Sequence, residues 1–102
     1  IVLLKGAKTA IATPEGQMWL IKDSTPALAR GGSGDVLTGL MGGLLASKSP
    51  QPWGQRVAAA AWWHAQAGLR AAGDRTVLGV DAFHLSQSLI PTLSHWSRNT
   101  HQ

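Results

Sequence analysis

Residues 29 to 39 read ARGGSGDVLTG, so Gly31, Gly32 and Gly34 surround Ser33 and lead straight into Asp35. An apolar, helix-like pattern follows. At a helix start the first N–H groups have no partner within the helix, and the aligned peptide dipoles add roughly half a positive charge. A phosphate suits such a place. Glycine removes the Cβ that would hold an anion away from the backbone, and Ser33 can add a hydroxyl donor. Gly31, Gly32, Ser33 and Gly34 are thus the candidate anion hole. Asp35 falls in the first turn, where its carboxylate would repel a phosphate unless it serves as a base or holds a metal. The same residues also make an ordinary glycine-rich, capped helix start, and by themselves they leave both readings open. Two phosphate motifs are excluded: no lysine stands where G-x-x-x-x-G-K-[ST] requires one, and Leu37 occupies the third glycine of G-x-G-x-x-G.

The elements that must position this stretch follow from the apolar spacing. Residues 1 to 22 hold three short apolar runs, IVLL, TAIAT and QMWLI, separated by KGAK and PEG, and read as strands, the last two forming a hairpin. A loop rich in Ser, Thr, Pro and Gly then reaches Asp35. From there Leu37, Leu40, Met41, Leu44 and Leu45 recur at i, i+3, i+4, i+7 and i+8, which predicts a helix of about three turns. Gly39, Gly42 and Gly43 oppose it by about 1 kcal/mol each in propensity, and close packing on a neighbour would account for them. WGQRVAAAAWWHAQAGLRAAG is apolar on nearly every side and reads as a buried second helix. Asp81 can cap a third, AFHLSQSLIPTL, with Pro91 near its end, before a frayed tail, SRNTHQ. Strands first and helices after give an α/β or α+β class in one domain over residues 1–102. Three strands cover three helices poorly, so either the chain forms a homo-oligomer or it is the carboxyl-terminal part of a larger sheet domain.

Composition narrows the partners. The net charge is +4, with 14% charged residues, and the nine Lys and Arg side chains never form a run. That dispersion argues against nucleic acid and for a small anionic ligand. No apolar run reaches the roughly 18 to 20 residues of a membrane span, and the amino end lacks signal-peptide order, so the expectation is no membrane partner and a cytoplasmic location. A start at Ile1 inside a strand suggests a processed or truncated beginning. There is no cysteine, and His84, His95 and His101 lack metal-ligand spacing, so no metal site is assigned to side chains. His64, Trp62 and Trp63 read as core residues of the second helix.

GGSGDVLTG, together with LLKGAKT at residues 3 to 9 and WWHAQAG at residues 62 to 68, resembles the carboxyl-terminal portion of the ADP- or ATP-dependent NAD(P)H-hydrate dehydratases, members of the ribokinase-like superfamily. The resemblance implies part of a Rossmann-like three-layer fold, further strands upstream, and an activity in nicotinamide-nucleotide repair. Hydrated NADH or NADPH would be returned to the working cofactor by phosphoryl transfer to the hydrate hydroxyl and loss of phosphate. It implies ADP (or ATP) as donor, Mg2+ beside the phosphates, and an adenine-nucleotide site at Lys5, Gly6, Ala7, Lys8, Thr9 and Gly34. Asp35 would meet the hydrated substrate and act as the catalytic base. A vitamin or sugar kinase of the same superfamily is an alternative, as is a non-catalytic nucleotide-binding module. One departure stands in the second helix. Where the family usually continues HG-x-AGD, this chain has His64, Ala65, Gln66, Ala67, Gly68 and Leu69, so the acid is replaced by Leu69.

Overall fold

A computed structural model describes residues 1–6, 8–22, 25, 33–48, 50–75 and 82–92. Three strands come first: β1 (Val2–Leu4), β2 (Thr9–Ala12) and β3 (Met18–Ile21). They form one antiparallel sheet in the order β1-β2-β3, with Leu3 opposite Ile11 and Ile11 opposite Trp19. The β2–β3 hairpin follows from Pro14-Glu15-Gly16. The Gly16 N–H donates to the Thr13 carbonyl at 3.1 Å, and Gly16 adopts φ 90°, a left-handed value that glycine takes without a Cβ penalty.

Side chains alternate across the pleat. Leu3, Ile11, Trp19 and Ile21 face inward onto Val57, Ala58 and Ala61. Val2, Leu4, Ala10, Ala12, Met18 and Leu20 fall on the other face, where Val2, Leu4, Met18 and Leu20 are exposed at 64, 68, 72 and 49%. Among the described residues that outer face has no covering layer.

Three helices follow: α1 (Ser33–Ala46), α2 (Trp53–Arg75) and α3 (Ala82–Gln87). The middle one, α2, touches β2, β3, α1 and α3, as its all-round apolar sequence requires. It can approach the hairpin only because residue 54 is glycine. A Cβ there would stand 2.5 Å from Thr13 Cγ2 and 3.1 Å from the Trp19 ring. A second cluster joins Ala67 and Ala71 of α2 to Leu85 of α3, with Val36 of α1 and Leu89 packed against it. Trp63 Nε1–H donates to the Leu89 carbonyl at 2.7 Å. The third helix breaks at Ser88, because Pro91 has no N–H with which to satisfy the Gln87 carbonyl.

The described part of the chain is therefore mixed α/β, with its helices on one face of the sheet. The strand and helix positions agree with the apolar spacing to within a few residues, whereas the cap expected at Asp81 and the tail SRNTHQ lie outside the described residues. One expectation is corrected. Nothing among the described residues lies within 4 Å of a Cβ built on Gly39, Gly42 or Gly43, so these glycines do not serve a close helix contact there. The reason is rotational: Leu37, Met41 and Leu45 turn α1 inward, and the glycines fall on its exposed side. No helix among the described residues is long and apolar enough to cross a membrane.

Candidate nucleotide site

The end of β1, the first turn of α1 and the middle of α2 meet at one place. Lys5 follows β1 directly, and its Nζ lies 3.5 Å from where a Cβ on Gly34 would stand. The absence of that Cβ leaves the ammonium beside the first-turn backbone of α1. Asp35 is the next residue, exposed and the acid of that first turn. A cation and the helix-start backbone thus meet although Lys5 and Gly34 are far apart in sequence, and an exposed carboxylate stands at the next position. Thr38 Oγ1–H donates to the Gly34 carbonyl at 2.9 Å and steadies the same turn.

Beneath this corner lies His64. The imidazole is buried at 4% exposure, and its Nε2 is 3.0 Å from the Ser33 carbonyl oxygen and 3.3 Å from Ser33 Oγ. A carbonyl oxygen only accepts, so Nε2 carries the hydrogen and donates. Burial pushes the His64 pKa below 6.5, the bond to the Ser33 backbone opposes that shift, and the Lys5 charge reinforces it. The ring is accordingly a neutral donor near pH 7.

The residues singled out from sequence divide as follows. Lys5 and Gly34 are brought together, and Asp35 follows Gly34 in the first turn of α1. Gly6 and Lys8 are exposed in the turn after β1, and Thr9 opens β2. Ser33 is 2% exposed, with its hydroxyl toward His64, so it supports the turn from below. Ala7, Gly31 and Gly32 lie outside the described residues. Reading the sequence missed the partnership of Ser33 and His64. The available signal was a lone polar ring in the apolar run AAAAWWHAQA, and nothing local in that run says which turn it reaches.

A separate cleft of about 240 Å³ opens between Leu44, Ser47, Gln51, Gln55, Arg56 and Ala59. It lies at the far end of α1 from Asp35, and its chemistry is structural. Arg56 donates to the carbonyls of Leu45, Ser47 and Gln51 at 3.2, 3.1 and 2.8 Å, closing the carboxyl end of α1, which has no basic residue in its own last turn.

The mixed α/β fold and a lysine against a glycine at a helix start describe the candidate site, and comparison with known proteins gives the family. The family model described as NAD(P)H-hydrate dehydratase matches residues 1–91, and the chain belongs to that family. It is 68% identical over 95 residues to the bifunctional NAD(P)H-hydrate repair enzyme Nnr of Synechocystis, covering 93% of this chain and 18% of that protein. It is 36% identical over 98 residues to the ADP-dependent (S)-NAD(P)H-hydrate dehydratase of Neisseria meningitidis, covering 96% of this chain and 31% of that protein. The Bacillus subtilis protein of the same name is 49% identical over 45 residues, which is 44% of this chain and 16% of that one. The chain therefore spans less than a third of the length of each of these curated relatives. No solved structure matches it.

Proposed function

We propose that the chain supplies the nucleotide-phosphate side and the catalytic base of an ADP-dependent NAD(P)H-hydrate dehydratase. The observation that carries this reading is the Lys5 ammonium against Gly34, immediately before an exposed Asp35. The first-turn amides of α1 and Lys5 hold the phosphoryl group to be transferred. Asp35 takes the proton from the hydrate hydroxyl as its oxygen bonds to phosphorus and the bond between the ADP phosphates breaks, releasing AMP. The new C–O–P linkage then breaks at carbon, phosphate leaves with the electron pair, and loss of a proton from the adjacent carbon restores the ring double bond. The protein contributes placement and charge, the main demands of phosphoryl transfer.

Among the described residues no group of three or more His, Cys, Asp or Glu could hold a metal ion. Asp35 offers one carboxylate, and that suits magnesium carried mainly by phosphates and water. Bound there, the ion would neutralise phosphate charge. The setting proposed is cytoplasmic, and the apolar outer face of the sheet gives a physical basis for self-association.

The test is a turnover assay on the protein carrying this chain. Hydrated NADH and ADP should regenerate NADH absorbance with release of AMP and phosphate. Accumulation of a stable phosphorylated alcohol in place of NADH would assign the site to a kinase.

A further inference from the structure

We propose that His64 is a positioning residue of the anion site: its Nε2–H bond to the Ser33 carbonyl fixes the first turn of α1, and with it Gly34, against the Lys5 ammonium. This rests on reading that corner as the nucleotide site.

The Ser33 carbonyl belongs to the turn whose amides face the phosphate, and it is held from below by a ring on another helix at 3.0 Å. His64 is buried within α2, whose neighbours Ala61, Ala65 and Ala67 are also buried, so the ring is supported by a packed helix and not by a loop. A donor in such surroundings must be satisfied, and the Ser33 carbonyl and hydroxyl satisfy it. Among the described residues, the charge acting on the ring is that of Lys5, which disfavours a second positive charge beside it. A neutral donor therefore braces the turn from within while the Lys5 ammonium lies outside it. An apolar residue at position 64 would leave the turn unbraced.

Calorimetric titration of ADP into the native protein and into His64→Leu and His64→Gln variants tests this, with circular dichroism to confirm folding. His64→Leu should weaken ADP about tenfold, and His64→Gln, whose amide N–H reaches the same carbonyl, should recover most of that loss. If His64→Leu does not fold, His64→Gln against His64→Asn decides, because the shorter amide cannot reach Ser33. A ring-nitrogen NMR titration needs no nucleotide. Native His64 should be the neutral Nε2–H tautomer at pH 7, and Lys5→Met should raise its pKa. Failure of the native protein to bind ADP would sink the nucleotide reading, and the NMR result would still judge the brace. The proposal is overturned if His64→Leu binds ADP as the native protein does, if the Gln and Asn variants behave alike, or if the ring titrates without regard to Lys5.

Discussion

At the scale of residues, the site depends on what is missing at position 34. Gly34→Ala would place a methyl group 3.5 Å from Lys5 Nζ, an ordinary contact for the fold but one that occupies the space between ammonium and backbone. Stability should hold or rise, since alanine favours a helix over glycine by about 1 kcal/mol, while ADP affinity falls. Thermal melting and calorimetry on one sample check both directions. A parallel loss of stability and affinity would mean that the glycine serves packing. His64 adds a pH signature. Its folded pKa lies below 6.5, so the unfolded chain binds the extra proton first and stability declines as pH falls through and below about 6.5. Denaturant titrations from pH 8 to pH 5 should show that decline in the native protein and a flatter profile in His64→Gln.

At the scale of elements, the glycines of two helices behave oppositely. Gly54→Ala forces a Cβ into Thr13 and Trp19 and should cost about 1–3 kcal/mol by overpacking. Gly43→Ala meets open space on α1 and should stabilise by up to about 1 kcal/mol. Denaturation midpoints of the two variants should move in opposite directions; destabilisation by Gly43→Ala would reveal a neighbour on that face. The contrast also marks how far sequence reaches. Short apolar runs with PEG between two of them place the strands, and the i, i+3, i+4 spacing places α1, because these signals are local along the chain. That Gly54, and not Gly43, is the tightly packed glycine depends on how α2 crosses the hairpin, which no local pattern encodes. The same holds for Arg56 closing α1 from another helix. Within the candidate site, GSGD reads either as an anion-binding or as an ordinary capped helix start, and it is the KGAKT resemblance that groups Lys5 with Gly34. His64 belongs to the WWHAQAG stretch, but that motif does not name its partner, which lies 31 residues away.

At the scale of the whole molecule, the sheet carries two unlike faces. Leu3, Ile11 and Trp19 are packed under α2, whereas Val2, Leu4, Met18 and Leu20 form an apolar surface uncovered among the described residues of this chain. Such a surface binds apolar dyes and promotes association. The 102-residue chain should therefore bind an environment-sensitive dye and sediment as a concentration-dependent species, and Leu4→Lys with Leu20→Lys should reduce both effects without disturbing the inner core. The relatives extend well beyond the matched segment, but the corner of Lys5, Gly34 and Asp35 is built from this segment alone. In the proposed reaction one carboxylate does proton chemistry beside a phosphate held by other groups. Asp35→Asn tests that most directly, with turnover of hydrated NADH and calorimetric ADP binding measured on the same protein carrying this chain. The expected result is turnover reduced by about a hundredfold or more, as loss of a general base commonly gives, with ADP affinity nearly unchanged. Undiminished turnover in that variant would remove Asp35 from the mechanism.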